Sequence, residues 1–190
     1  MKEEQESLRA FLAFEVSPEV RGNLMRVEEE LRQTRADIKL VERENLHFTV
    51  KFLGEIPESL VGEVDRRMGT LALRRMEVGV RGLRAFPDAR RPRVVWAGVA
   101  PQDLAAVTSE GQQVIDALDG IGESDDRGFH PHITVARVRS PRNPEALAAV
   151  LRDSAAREFG RTTITALKLK SSDLTPNGPI YRDVREYPLQ

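Results

Sequence analysis

Hydrophobic and polar residues follow two different spacings along this chain. Short apolar runs and alternation with a period of two predict strands. The predicted strands cover residues 8–16, 46–53, 78–86, 94–99, 131–138, 163–169 and 180–184. Elsewhere, apolar residues recur every three or four positions, which places them on one face of a helix. Four helices are predicted to begin after Ser17, at Pro57, at Pro101 and at Asn143. The last two strands should pair as a hairpin around Pro176-Asn177-Gly178.

The order strand, helix, strand, helix, strand occurs twice in the chain. A shift of 85 residues aligns Phe11 with Trp96 and residues 47–50 with residues 132–135. These ordered matches predict an internal duplication with a pseudo-two-fold axis. We expect one domain, 1–190, built of repeats at about 8–92 and 93–190. Strands that alternate with helices and hairpins predict an α+β fold with antiparallel sheets and with helices packed outside.

Composition excludes several classes of protein. The 190 residues are 40% hydrophobic and 31% charged with a net charge of −1, which is typical of a globular domain and not of a strongly basic nucleic-acid binder. The absence of Cys excludes disulfides, thiolate catalysis and iron–sulfur clusters. No apolar run near the N-terminus is long enough to cross a bilayer. We therefore expect a cytoplasmic monomer with no membrane partner.

The three histidines lie in two copies of one motif. His47 and His132 are each followed two positions later by Thr, although Thr occupies only 9 of the 190 positions. Residues i and i+2 of a strand share a face. His47 and Thr49 should therefore share one face, and so should His132 and Thr134. The predicted partition of the first strand puts Leu46, Phe48, Val50 and Phe52 in the core and Lys51 on the face of His47. If a two-fold axis relates the repeats, the imidazoles face each other across one groove.

Two imidazoles on either side of one phosphorus suffice for acid–base cleavage of a phosphodiester. One neutral imidazole accepts a proton from the nucleophile, and one protonated imidazole donates a proton to the leaving oxygen. The hydroxyls of Thr49 and Thr134 can donate to the non-bridging oxygens, where charge is held in the transition state. This chemistry needs neither a metal nor a cofactor, and the sequence predicts none.

A metal centre is the competing interpretation of the same residues. His130 and His132 could join His47 as three imidazole ligands of zinc. Pro131 restricts the backbone of His130, and neither motif contains an Asp or Glu that could serve as a base. Acid–base catalysis without metal is therefore favoured. The chain has no Gly-Lys pair for a phosphate-binding loop and no Gly-x-Ser-x-Gly nucleophile motif.

Taken together, the motifs resemble the two-histidine phosphoesterase superfamily, and within it the RNA 2′,3′-cyclic phosphodiesterases, historically called 2′-5′ RNA ligases. The matching segments are residues 9–13, 45–54, 86–87, 92–96, 131–137, 172–174 and 178–181. They extend over almost the whole chain. The one departure is Val50 and Val135, where Leu is frequent in the family.

The resemblance implies a two-lobed α+β fold with a central concave groove. It implies that His47 is the general acid toward the 3′-oxygen, that His132 is the general base, and that Thr49 and Thr134 hold the phosphate. It also implies that Arg137 binds the phosphate. Strict alternation would put Arg137 on the face opposite His132, so we expect either a bulge or a side chain that reaches around the strand edge.

The implied reaction is hydrolysis of RNA 2′,3′-cyclic phosphate ends to 2′-phosphates, with reversible 2′-5′ ligation as a second expectation. A small cyclic nucleotide as substrate and a non-catalytic RNA- or nucleotide-binding module are the alternatives. Arg outnumbers Lys by 24 to 5, and a guanidinium suits phosphate. One cluster surrounds a Pro-Asp turn and consists of Arg84, Arg90, Arg91 and Arg93. It is a candidate contact to flanking RNA, with a solvated turn as the alternative.

Overall fold

The computed structural model describes residues 6–123, 128–176 and 178–190, and within them nine strands and four α-helices. The strands are β1 (Ser7–Glu15), β2 (Ile38–Leu40), β3 (His47–Pro57), β4 (Met76–Phe86), β5 (Val94–Val99), β6 (Ile133–Val138), β7 (Glu158–Ile164), β8 (Ala166–Thr175) and β9 (Gly178–Pro188). The helices are α1 (Pro18–Gln33), α2 (Val61–Met68), α3 (Leu104–Ala117) and α4 (Pro144–Asp153). The predicted α+β class is confirmed. Asn177 of the predicted turn lies outside the described residues.

All nine described strands pair antiparallel in one sheet, and eight of them follow the order β7-β4-β5-β6-β3-β1-β8-β9. Its two lobes meet where β3 pairs with β6, and Phe48 opposite Ile133 is the bridge between these strands. The short strand β2 pairs with the far end of β6. The predicted two-lobed arrangement is therefore present, with the lobes joined through one residue pair.

The lobes exchange strands between the two halves of the chain. β4 comes before residue 92 but lies beside β5 in the lobe of the second histidine motif. β8 and β9 come late in the chain but lie beside β1 in the lobe of the first motif. Neither lobe is thus one continuous half of the sequence. The repeat boundary near residue 92 stays a prediction.

One face of the sheet forms the core together with the helices. The apolar face of α1 is buried in the same cluster as Phe48 and Ile133, and its members are Val20, Leu24, Val27 and Leu31. Removal of this apolar surface from water is the main driving force for the packing. At the start of α1, the Ser17 hydroxyl accepts a hydrogen bond from the backbone N–H of Val20 at 3.3 Å. The predicted cap of this helix is confirmed.

The strand predictions were wrong in three places. Residues 163–169 were predicted as one strand, but β7 ends at Ile164 and pairs with β4, whereas β8 begins at Ala166 and forms the hairpin with β9. The prediction missed β2 altogether. Gly54 was expected to end β3, but it has φ of +69° beside an unpaired Leu53, and the strand continues to Pro57. A glycine with positive φ allows a bulge without ending a strand.

No helix within the described residues is long and apolar enough to cross a membrane.

A close contact between α3 and the segment that leads into β6 anchors the second histidine motif. Phe129 is buried and comes just before the motif. Its ring lies so close to Gly111 that a Cβ atom added there would be 2.1 Å from a ring carbon. Glycine at this helical position therefore makes room for the anchor.

We predict that Gly111→Ala destabilises the protein. Alanine is the better helix former by about 1 kcal/mol, but the clash with Phe129 should cost about 1–3 kcal/mol in overpacking. The matched control is Gly22→Ala in α1, where an added Cβ would meet nothing within 4 Å. Urea unfolding should show that the control is as stable as the original protein or more stable. Equal stability of the two variants would contradict the prediction.

Candidate active site

The junction between β3 and β6 brings the two His-Thr motifs together. Because Phe48 and Ile133 are directly opposite, the antiparallel register sets His47 across from Thr134 and Thr49 across from His132. All four side chains leave the sheet on the face opposite the core. Diagonal neighbours in such a pair are about 7–8 Å apart, which leaves room for one phosphate between the imidazoles.

A β-bulge lies at the residue directly after the threonine of each His-Thr motif. In the first, Leu12 pairs with Lys51 and Ala13 pairs with Thr49, so that Val50 has no partner in β1. In the second, Val95 pairs with Ala136 and Trp96 pairs with Thr134. Val135 is therefore left over in the same way. The two bulges are 85 residues apart, at equivalent positions of the duplication.

The second bulge explains how Arg137 reaches the face of the histidines. A bulge inserts one residue and so reverses the alternation beyond it. Arg137 is opposite Val94 in β5, two residues from Trp96, and therefore lies on the Trp96 face. Of the two routes expected for this side chain, the structure has the bulge.

The first bulge overturns two predictions for β3. Phe52 was predicted in the core, but it is 50% exposed and its ring lies 5.9 Å from that of Phe11 on the histidine face. Lys51 was predicted beside His47, but it is buried and its Nζ donates to the backbone carbonyl of Glu123 at 3.1 Å. Both errors follow from counting with an uninterrupted period of two.

His47 is enclosed by aromatic rings and buried, with 7% of its surface exposed. Phe11 stacks on the imidazole with ring centroids 5.1 Å apart, and Tyr181 meets it edge-on at 5.6 Å. Its Nε2 lies 3.1 Å from Oγ1 of Thr49. Its Nδ1 is buried and has no hydrogen-bond partner among the described residues.

Burial lowers the pKa of His47 to about 4. The carboxylate of Glu15 opposes this shift, whereas the positive charges of Lys170 and Arg21 add to it. Removal of an imidazolium from water disfavours the charged form, which explains the direction. In the free protein His47 is therefore neutral at pH 7.

His132 is more exposed than His47, and a hydrogen bond at one ring nitrogen determines the tautomer of its neutral form. Its Nδ1 donates to the backbone carbonyl of His130 at 2.7 Å. A carbonyl only accepts, so the neutral ring carries its proton on Nδ1 and offers the Nε2 lone pair as an acceptor. The Trp96 ring meets the imidazole edge-on at 5.8 Å.

The sequence reasoning missed three residues that contact the histidines and a fourth that lies opposite Arg137. Phe11 contacts His47, and Trp96 contacts His132. The 85-residue alignment, which pairs Phe11 with Trp96, could have indicated these two contacts. Tyr181 arrives from β9, and no local pattern predicts that contact. Lys39 of β2 is directly opposite Arg137. Burial raises the pKa of Tyr181, and the nearby charges of Arg137 and Arg9 oppose that shift.

The candidate arginine cluster is only partly at the site. The Arg84 guanidinium lies 5.7 Å from the Trp96 ring centroid, so it reaches a ring that contacts His132. Arg90 and Arg91 are exposed on the turn, where their backbone N–H groups donate to Asp88 Oδ1 at 2.7 and 3.0 Å. Arg93 is exposed at the end of the same turn.

Within the described parts of the chain, His, Asp and Glu side chains nowhere gather in a group of three or more that could hold a metal ion. The three histidines of the alternative zinc site therefore do not form such a group. The carbonyl of His130 serves His132 instead, through the hydrogen bond already described.

The sequence profile of the LigT-like phosphoesterases matches residues 14–96 and again residues 99–181, once for each histidine motif. The chain belongs to this family. A relative from Aeropyrum pernix, named RNA 2′,3′-cyclic phosphodiesterase, is 36% identical over 167 residues, which are 87% of this chain and 94% of the relative. A relative of the same name from Methanothermobacter thermautotrophicus is 35% identical over 185 residues, which are 96% of this chain and 99% of the relative.

Solved structures with the same fold include two crystal structures that cover nearly the whole chain. A crystal structure of a Thermus thermophilus protein is similar with a TM-score of 0.76 and 27% identity, over 96% of this chain and 98% of that protein. The crystal structure of Escherichia coli LigT complexed with 3′-AMP gives a TM-score of 0.75 at 20% identity, over 97% and 99% of the two chains. The second similarity bears on the fold alone.

We predict that His47 titrates well below the usual range of a histidine in the free protein. Its buried imidazole should remain neutral at pH 7 and take up a proton only near pH 4. Labelling with ¹⁵N-histidine and recording the ring nitrogen shifts against pH measures this midpoint, with His47→Gln used to assign the signal. A midpoint at or above pH 6.5 would contradict the prediction.

Proposed function

We propose that this protein is an RNA 2′,3′-cyclic phosphodiesterase that forms RNA 2′-phosphates. The observation that carries the proposal is the junction of β3 and β6, where two imidazoles and two threonine hydroxyls share one face around a single residue pair. The family and the names of the relatives at 35–36% identity support the same reaction.

In the proposed reaction, Nε2 of His132 takes a proton from water as the water oxygen bonds to the cyclic phosphorus. The bond from phosphorus to the 3′-oxygen breaks, and His47 gives its proton to that oxygen. The phosphate stays on the 2′-oxygen. The hydrogen bond from His132 Nδ1 to the His130 carbonyl supports the role of His132 as base, because it directs the lone pair of Nε2 outward.

Positive charge beside the histidines supports an anionic substrate. Arg137 and Lys39 are directly opposite each other, and neither has an ion-pair partner among the described residues. Like charges in such a pair are destabilising unless an anion lies between or near them. Arg137 is the proposed ligand of the reacting phosphate, together with Thr49 and Thr134. Lys39 and Arg84 extend the charge toward flanking nucleotides of RNA.

Product analysis tests the proposal. An oligoribonucleotide with a 2′,3′-cyclic phosphate end should become a 2′-phosphate, identified by its resistance to a 3′-specific phosphatase and by mass. Turnover should persist in EDTA, because two imidazoles carry the proton transfers. Hydrolysis of small cyclic nucleotides but not of the oligonucleotide would favour the small substrate. No turnover of either would favour a module that only binds nucleotides.

The two motif histidines should differ sharply from the third in their effect on turnover. His47→Ala and His132→Ala should each lower kcat about 10²- to 10⁴-fold, because each removes a proton donor or acceptor. His130→Ala is the matched control, since alanine keeps the backbone carbonyl that binds His132 Nδ1. Kinetics on the cyclic oligonucleotide decide the matter. A loss in the control as large as in His132→Ala would contradict this assignment.

Contacts to the reacting phosphate and to flanking phosphates should have different kinetic effects. Arg137→Ala should lower kcat about 10²- to 10³-fold even on a mononucleotide cyclic phosphate, because it removes transition-state stabilisation. Changing both Arg90 and Arg91 to Ala should raise KM only for longer RNA and reduce its salt dependence by about one counterion per contact. If both substrates behave normally in the double variant, those two arginines form only a solvated turn.

A further inference from the structure

A set of alternating charges runs from α1 across β1, β8 and β9 beside His47. Glu15 accepts from Lys170 at 2.6 Å and also pairs with Arg21. Lys170 reaches Asp183 at 2.6 Å, Asp183 accepts from Lys168 at 2.5 Å, and Lys168 lies 3.6 Å from Glu186. We call these six residues the ion ladder. Its members are three cations and three anions, namely Arg21, Lys168, Lys170, Glu15, Asp183 and Glu186.

The ion ladder ends at the first catalytic histidine. Glu15 is directly opposite His47 in the β1–β3 pair. Lys170 is directly opposite Phe11, whose ring stacks on His47. Lys170 is itself buried, with 8% of its side chain exposed, whereas the far end at Glu186 is open to solvent. The charges nearest the imidazole are thus the least screened.

The three cations and three anions of the ion ladder cancel, so the ladder presents no net negative charge to the imidazole of His47. Glu15 is the carboxylate closest to the imidazole along the strand pair, but two cations already hold it. Its negative charge therefore only partly compensates an imidazolium that burial has removed from water. Among the described residues, the other groups around the ring add no anion: Thr49 and Tyr181 are neutral, and Arg137 across the junction is positive.

We propose that Glu15 is a positioning residue that supports the proton on His47, and that Lys170 limits this support so that His47 becomes protonated only when an anionic phosphate binds. This inference rests on the proposed role of His47 as general acid. The negative charge that stabilises the imidazolium of His47 comes from the phosphate of the substrate. The enzyme thereby takes up its catalytic proton together with the molecule that consumes it.

Two opposite substitutions test the first half of the proposal. Glu15→Gln should lower the midpoint of His47 titration by about one pH unit, and Lys170→Gln should raise it by a similar amount. The measurement is the ring nitrogen shift of labelled histidine against pH. A merely structural role for the ladder would not move the midpoint in opposite directions. Shifts of the same sign, or no shifts, would overturn the proposal.

Two further variants keep this test decisive. The matched control is Arg182→Gln, which removes an exposed ion pair with Asp173 at 2.5 Å from the same hairpin. Its His47 midpoint should equal that of the original protein. If Lys170→Gln does not fold, Arg21→Gln removes the other cation on Glu15, which is partly exposed, and should also raise the midpoint.

Proton uptake on binding tests the second half. Sulfate serves as the probe, because it is an anion that does not titrate near neutral pH. Calorimetric titration at pH 6 in two buffers of different ionisation enthalpy should show net proton uptake per sulfate bound. The comparison is made in a His132→Gln background, so that the second imidazole beside the anion cannot take up the proton, and adding His47→Gln should abolish the uptake. Uptake that persists in the double variant, or none in the His132→Gln variant, would overturn the proposal.

These outcomes separate the inference from the proposed function. The titration and calorimetry need no turnover, whereas product analysis of the cyclic oligonucleotide needs no knowledge of the proton. Opposite midpoint shifts with no cyclic phosphodiesterase activity would refute the function and keep the electrostatic coupling. Activity without the shifts would refute the coupling alone.

Discussion

One residue pair, Phe48 with Ile133, fixes the relation between the two halves of the site. It is the bridge between β3 and β6, and both side chains are fully buried in the core below. Hydrophobic packing therefore holds the strands together where backbone pairing is short. A slip of one residue would turn one of the two histidines, His47 or His132, toward the core, because side chains alternate between faces. The alignment of the two His-Thr motifs thus depends on how the core packs beneath them.

The bulge at Val50 and Val135 is the second constraint, and the duplication carries it in both lobes. Each His-Thr pair precedes the bulge and lies on the face opposite the core, and the alternation of side chains between the two faces is reversed beyond the bulge. The residue five positions after each histidine consequently returns to that face. In one lobe this residue is Phe52, and in the other it is Arg137. The same backbone device thus supplies an apolar contact on one side of the junction and a cation on the other.

Local spacing was enough to predict the α+β class, the antiparallel pairing and the shared face of His47 with Thr49. It could not predict Phe52 or Lys51, because a bulge breaks the period on which the prediction depended. The break at Thr165 and the strand β2 were also missed. Both depend on pairing with strands remote in sequence, β4 for β7 and β6 for β2. Tyr181 reaches His47 only because the hairpin of the second half joins the lobe of the first.

Two copies of one motif can perform opposite proton transfers only if their surroundings differ. Two imidazoles in identical settings would hold their protons equally well, so neither would be fixed as the acid or as the base. Here the difference lies outside the motifs. His47 is enclosed by Phe11, Tyr181 and the inner end of the ion ladder, whereas His132 is more exposed and bound at Nδ1 by the His130 carbonyl. The two motifs match in sequence, and the neighbouring strands give their imidazoles different surroundings.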